Sequence, residues 1–411
     1  MTPVRGHRGE IVARGRRGRG DRGPAGRRVR RPVGRSGDVG SPGQPTRGRH
    51  PGDHDRGMST SHALRPPRPA RAPRPSRLRR SLGRRLTRAV TGLLVVLVLL
   101  VLAGVVYERV ASAGAADRFP APGVLVDVGT TSLHLQVTPG PAGAPVVVLE
   151  AGSGETSLSW RDVPAGLADV ATVVSYDRAG TGWSEPATTS RTGEQVVAEL
   201  HDALTAAGLD GPYVLVGHSM GGLFSRLFAE RYPDEVTGLV LVDARPEDDA
   251  ARTAPILEAE GFAGNPPVWL LSALTETGVM RLFAGTLLAG SVDPEDQDRF
   301  VDVVADPEFF RVRQEEADLV GSTEDAVRGQ DLGGLPLVVV ARGVAQDYAA
   351  AGLSTEAGQE VEAIWQDGQR RLLDLSSASR LVVAAESGHL VMRDQPEVVV
   401  EAVRDVVAEL R

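Results

Sequence analysis

Ser219 lies in Gly217-His218-Ser219-Met220-Gly221-Gly222, between an apolar run at 213–216 and a helical-looking run at 223–231. A strand, a sharp turn carrying one serine and a helix make a nucleophile elbow. The turn strains the serine backbone so that Oγ projects above the sheet, and the residues two before and two after must be small. Gly217 and Gly221 meet that demand. The helix starts at the serine, so its free backbone N–H groups face whatever negative charge develops there. In a chain with 48 glycines the bare G-x-S-x-G pattern arises by chance. What distinguishes this copy is its setting: a strand before, an amphipathic helix after, and an acid and a histidine further along the chain. His389, in Ser387-Gly388-His389 after the apolar run 381–385, is the candidate general base, since a loop there can carry an imidazole over the sheet to the serine. His218 adjoins the nucleophile, so its side chain is expected to turn away into packing.

Positioning these groups requires a framework of alternating strands and helices. The runs 124–128 and 133–138 flank Gly129-Thr130-Thr131 and read as a hairpin. Strands are expected at 146–150, 172–176, 213–216, 236–242, 337–340 and 381–385. Helices are expected at 160–167, 193–207, 361–375 and 396–410. Such alternation gives an α/β fold, a mostly parallel sheet with helices on both faces. Between 245 and 330 the alternation stops and the chain becomes helical and acidic, with Trp269-Leu270-Leu271, Met280-Arg281-Leu282-Phe283 and Glu308-Phe309-Phe310 as apolar faces. Residues 246–330 read as a helical cap inserted over the site, where it shapes the pocket and excludes water. The core is then 123–245 and 331–411.

The rest of the chain differs in kind. All 46 basic residues are arginine. Of these, 25 lie in residues 1–88 against 5 acids, leaving 20 against 46 acids from Arg118 onward, so the net charge of −7 conceals a basic tail and an acidic globule. The Arg/Pro/Gly-rich tail 1–88 has too little apolar surface to order itself. Its arginine-glycine stretches lack interleaved aromatics, which argues against nucleic acid as a partner, and Met58 offers an internal start that would remove most of it. Residues 89–107 carry no charge and are long enough for a bilayer core. Ten arginines at 65–88 put the N-terminus in the cytoplasm and the globule outside, with 108–122 as linker. Ala111-Ser112-Ala113 resembles a signal-peptidase site, but the apolar stretch is longer than the usual signal core, so an uncleaved anchor in the cell membrane is expected. The chain has no cysteine, which excludes disulfides, thiol catalysis and thiolate metal sites. No cluster of ligands calls for a metal or a cofactor.

Several stretches together resemble the α/β-hydrolase superfamily from about residue 123 to the C-terminus. Leu149-Glu150-Ala151-Gly152-Ser153-Gly154 stands where the family carries its His-Gly oxyanion turn, with Ala151 in place of the usual histidine. Ser175-Tyr176-Asp177-Arg178-Ala179-Gly180-Thr181-Gly182-Trp183-Ser184 matches the D-x-x-G-x-G-x-S loop. Ser387-Gly388-His389 with Asp394-Gln395-Pro396-Glu397 matches the segment that bears the catalytic histidine. The anchor-plus-hydrolase layout resembles a group of membrane-anchored actinobacterial members. The resemblance implies a Ser219-His389-Asp triad acting through an acyl-enzyme on a small-molecule acyl substrate, esterase- or lipase-like ahead of peptidase-like. It also implies an oxyanion hole from the backbone N–H groups of Ser153 and Met220. Two placements of the acid occur in the family. Asp347 follows the run 337–340 at loose spacing; Asp243 ends the run 239–242, where a buried acid needs a partner, and is ranked first. Asp177 reads as a loop brace. A serine at the elbow disfavours carboxylate-nucleophile chemistry. A non-catalytic anchored binding protein, or carbon–carbon hydrolysis or cofactor-free peroxidation on the same triad, stands as the alternative.

Overall fold

The computed structural model describes residues 77–410 apart from 263, 265, 290, 291 and 293, with side chains from residue 82. The expectations for residues 1–76, including the start at Met58 and the nucleic-acid reading, lie outside the described residues. From Arg77 the chain is already helical, and this helix runs Arg77–Ser112. The tail expected to reach residue 88 therefore ends earlier, and the expected linker 108–122 is partly helix, with a further turn at Ala115–Arg118. The reason is propagation. Arginine and leucine are good helix formers, and extending the apolar helix costs less than nucleating a new one. Ser112 Oγ also donates to the Glu108 carbonyl at 2.7 Å. At 36 residues the helix is ~54 Å long, well beyond a bilayer core of ~30 Å. Its most apolar stretch has a mean hydropathy of 3.0, and it is long and apolar enough to cross a membrane.

Among the described residues eight strands form one sheet in the order β1-β2-β4-β3-β5-β6-β7-β8. They are β1 Val124–Asp127, β2 Ser132–Thr138, β3 Val146–Glu150, β4 Thr172–Asp177, β5 Tyr213–His218, β6 Val236–Val242, β7 Leu337–Arg342 and β8 Ser379–Ala384. β1 and β2 form the expected hairpin, and β2 pairs antiparallel with β4. The other pairings are parallel. Strands β3, β5 and β7 are buried along their whole length, which explains their unbroken apolar sequences. One face packs Val148, Leu215 and Leu239 against helices Gly193–Ala206 and Met220–Arg231. The other packs Val147, Val214 and Val240 against helix Pro396–Glu409. The short helix expected at 160–167 is instead two 3₁₀ turns, Ser157–Trp160 and Pro164–Gly166, interrupted where Pro164 and Gly166 discourage an α-helix.

Between β6 and β7 the chain is helical: Asp249–Ala259, Val268–Glu276, short turns at Val279–Leu282 and Ala284–Leu287, a π turn at Phe300–Val304, then Pro307–Ala326. Met280, Leu288, Val301, Val304, Phe309 and Phe310 form a core of their own, separate from the two that flank the sheet.

Candidate active site

The elbow is dictated by close approach. A Cβ on Gly217 would fall 2.5 Å from the Gly221 carbonyl oxygen, and one on Gly221 would fall 2.4 Å from that of Glu150. Strand and helix meet there with no room for a side chain. Ser219 takes φ 50 and ψ −120, a strained conformation for a residue with a Cβ. The strain is held by its N–H to the Val242 carbonyl at 3.2 Å and by the Gly222 and Arg245 N–H groups to its own carbonyl at 3.0 and 2.9 Å.

His389 Nε2 lies 3.1 Å from Ser219 Oγ, and its Nδ1 lies 2.6 Å from Asp243 Oδ2. With Nδ1–H donating to the carboxylate, Nε2 is left to accept the serine proton. Burial pushes the imidazole below its ordinary pKa; the His218 and Arg342 charges act the same way and together outweigh the opposing pull of Asp243. The ring is therefore neutral and basic at neutral pH. Its loop is fixed by the Gly388 N–H to Asp394 at 3.0 Å and the Val344 N–H to the Ser387 carbonyl at 3.0 Å.

Asp243 is fully buried, at the end of β6 with φ 38. Besides His389 it accepts from Trp365 Nε1 at 2.9 Å, Arg342 Nη1 at 2.7 Å and the Arg342 backbone N–H at 3.4 Å. Burial alone would raise its pKa, but the His389 hydrogen bond, the Arg342 charge and Trp365 bring it down to about 2. Arg342 is itself held by Glu362 at 2.6 Å and lies over the Trp365 ring. Asp347, the other candidate acid, is in an exposed turn, where it accepts from the Ala349 and Ala350 N–H groups. The structure does not bring it into the site.

The loop after β3 carries Ala151 where a histidine was expected, and two charged groups brace it. Arg178, buried, donates to the Ala151 and Gly152 carbonyls at 2.7 and 2.8 Å while pairing with Glu150 and Glu316. Glu155 accepts from the Gly152 N–H at 3.1 Å and pairs with His218 Nδ1 at 3.0 Å. With the Gly152 N–H taken, Ser153 has the next N–H along the loop, and Met220 begins the helix that follows Ser219. Burial pushes Glu150 up to about 7, Arg178 and Tyr176 opposing it only in part. His218 does not turn away from the site as expected from its position beside Ser219. Its Nε2 contacts the His389 carbonyl at 2.9 Å, and its ring lies 4.6 Å from that of His389. Burial lowers its pKa, but Glu155 more than compensates and raises it. Asp177 accepts from the Ser157 and Trp183 N–H groups and contacts His134, as befits a brace.

Arg342, Trp365, Glu155 and Arg178 had no assigned role in the sequence reading. Only Arg342 left a signal there: a charged residue ending a wholly apolar strand must have a partner. A cleft of about 80 Å³ opens beside the loop after β3, lined by Gly154, Glu155, Thr156, Leu158, Phe300 and Val304. Among the described residues no group of three or more potential metal ligands occurs.

A family model described as the alpha/beta hydrolase fold matches residues 145–407. The uncharacterized protein YqjL of Bacillus subtilis is 27% identical over 275 residues, 67% of this chain and 88% of YqjL. The putative carbamate hydrolase RutD of Escherichia coli O6:H1 is 42% identical over 145 residues, 34% of this chain and 52% of RutD, so the match spans about half of that relative. Two solved structures are similar in fold. The epoxide hydrolase CorEH has a TM-score of 0.51 at 21% identity, over 70% of this chain and 99% of that one. The haloalkane dehalogenase DatA of Agrobacterium tumefaciens has 0.53 at 17% identity, over 70% and 96%. With the family match running from β3 to the last helix, over more than half of its length, the chain belongs to the α/β-hydrolase fold family.

Proposed function

We propose that this chain is a serine hydrolase that cleaves an ester or amide through an acyl-enzyme. The observation that carries the reading is the hydrogen-bonded line Ser219–His389–Asp243 at 3.1 and 2.6 Å. Ser219 Oγ bonds to the substrate carbonyl carbon as His389 Nε2 takes its proton, and the charge moving to the carbonyl oxygen is met by the Ser153 and Met220 N–H groups. His389 then returns the proton to the leaving group as its bond to carbon breaks. Water, deprotonated by His389, releases the acid and restores Ser219. Asp243 holds the tautomer and balances the transient imidazolium. The serine at the elbow separates this chemistry from attack through a carboxylate, whatever the fold neighbours are named. The substrate is a small acyl compound, and carbamates belong in the test panel because RutD carries that name. The helix Arg77–Ser112 anchors the enzyme in the cell membrane with the hydrolase domain outside, as the ten arginines at 65–88 favour.

Hydrolysis of p-nitrophenyl esters, amides and carbamates of graded acyl length by the full chain in detergent, together with labelling by a fluorophosphonate, tests the reading. Turnover and labelling that both disappear in Ser219→Ala support it. Labelling that persists in Ser219→Ala, or an intact wild type that neither turns over nor labels, overturns it.

A further inference from the structure

The anchor helix and the cap touch along a defined line. A Cβ on Gly104 would fall 2.3 Å from the Thr277 carbonyl oxygen, Gly278 packs on the Tyr107 ring, and Arg281 grips Glu108 in a two-pronged ion pair at 3.0 and 2.7 Å. The two segments therefore run in the same direction: 277, 278 and 281 meet 104, 107 and 108. Glu108 is the first charge after the apolar run, so the membrane surface is crossed near it, and Arg281 and Arg118 join Asp302 at that level. Gly104 is ~6 Å further in.

The cap helix that precedes Thr277, Val268–Glu276, also packs on the anchor. Its sequence is Val-Trp-Leu-Leu-Ser-Ala-Leu-Thr-Glu, with its single charge at its C-terminal end. Trp269 is 71% exposed and Leu270 36%, while Leu282 and Phe283 stand exposed beside Arg281. Pro266 and Pro267 lead into the helix and carry no N–H to desolvate. Large apolar side chains left bare next to a membrane-crossing helix have one solvent that suits them.

We propose that the cap helix Val268–Glu276 is a second membrane contact, embedded in the interfacial layer of the outer leaflet through Trp269 and Leu270, so that the cap sits on the bilayer beside the anchor. The proposal rests on the reading of Arg77–Ser112 as a transmembrane anchor and goes beyond it, since an anchor alone leaves the globule free to stand off in water. The depth is that of interfacial helices, about 5–10 Å below the surface.

The chain has no cysteine, so single-cysteine variants of the full protein carry one spin label each. Three sites in phosphatidylcholine vesicles decide the matter: Val96→Cys in the anchor, Leu270→Cys in the cap, and Leu410→Cys. Leu410 shares a cavity with Val146 and Thr237 at the N-terminal ends of β3 and β6, the end of the sheet opposite Asp243. Labels at Val96 and Leu270 are expected to collide more with oxygen than with a water-soluble nickel chelate, with the ratio reversed at Leu410. If Leu270 behaves like Leu410 while Val96 remains in lipid, the cap contact is refuted and the anchor stands. If Val96 also reports water, both fall. The unlabelled protein provides an independent reading. Trp160 and Trp365 are buried and Trp183 is partly so, hence quenching by shallow brominated lipid is expected to drop sharply in Trp269→Tyr, and unchanged quenching refutes the contact.

Discussion

Replacing Arg342 by glutamine tests how the charge around Asp243 sets the base. Arg342 Nη1 and His389 Nδ1 share Asp243 Oδ2, at 2.7 and 2.6 Å. Two positive charges held so are roughly 5 Å apart, and their repulsion is about 3 kcal/mol at an effective dielectric of ~20 but under ~1 kcal/mol in water. The His389 side chain keeps 30% of its surface exposed, which favours the lower part of that range. One pKa unit is about 1.4 kcal/mol, so removing the guanidinium should raise the His389 pKa by about one unit. The sign is fixed: the wild-type imidazole is depressed, so its acid limb lies below the ordinary value of about 6.5, and Arg342→Gln moves that limb to higher pH. Glu362→Gln, which leaves Arg342 less neutralised, moves it slightly lower. The assay is kcat/KM for a p-nitrophenyl ester from pH 4.5 to 9, with circular dichroism to confirm folding, since breaking a buried pair from one side can cost about 3–5 kcal/mol. A folded Arg342→Gln enzyme whose limb stays in place or moves to lower pH refutes the electrostatic role and leaves Arg342 a packing residue.

Other outcomes follow from the same geometry. Asp243→Asn should lower kcat by about three to four orders of magnitude, as loss of a triad acid does elsewhere, whereas Asp347→Asn in its exposed turn should stay within twofold; equal effects contradict the assignment. Asp243, depressed to about 2, contributes stability of about 2.5 kcal/mol that is present above pH ~4 and lost as pH falls through 2, so acid unfolding of Asp243→Asn should be less steep over that window. Glu150, raised to about 7, acts in the opposite sense. Its burial costs stability progressively as pH rises from about 4.5 through 7, up to about 3 kcal/mol, so Glu150→Gln should gain in melting temperature relative to wild type at pH 8 and not at pH 4.5. Glu155→Gln weakens the pairing with His218 and the grip on the Gly152 N–H, and kcat should fall about tenfold or more with KM nearly unchanged, since the oxyanion loop acts on the transition state.

The groups legible in the sequence were those defined by short-range geometry. Gly217, Ser219 and Gly221 announce the elbow because a strand precedes them and a helix follows, and the apolar runs of β3, β5 and β7 announce those strands because buried parallel strands need no polar face. The acid was not legible to the same degree. Whether Asp243 or Asp347 faces His389 depends on how β6 ends, with φ 38, and on Arg342 and Trp365 arriving from 99 and 122 residues away. Periodicity carries no information about such partners. The brace of the oxyanion loop was hidden for the same reason, since Arg178 meets Glu316 from the cap across 138 residues. His218 misled because alternation along a strand says which way a side chain leaves the backbone, and not that a loop will fold back to meet it. The helix runs past both ends of the uncharged stretch 89–107 because charge ends an apolar run, while a helix continues as long as its residues favour it.

The ion pairs around helix Pro307–Ala326 distinguish two parts of the cap by what each is fastened to. Glu316 is pinned to Arg178, Glu315 to Ser190 and the Arg191 N–H, and Glu308 to the Ala187 N–H, so this helix is a fixed post of the hydrolase core. The stretch ahead of it, 268–304, shares an apolar core with Phe309 and Phe310 at the start of this helix and otherwise fastens through pairs such as Arg161–Asp296 and Arg281–Glu108. A chimera that exchanges only 268–304 for the equivalent stretch of a relative replaces the side of the cleft lined by Phe300 and Val304 and keeps the ion pairs of helix 307–326, provided the new stretch packs on Phe309 and Phe310. One that crosses over inside 307–326 strands Arg178 without its carboxylate beneath the oxyanion loop. The boundary between the two parts is Asp306, the residue that caps the post through the Phe309 N–H.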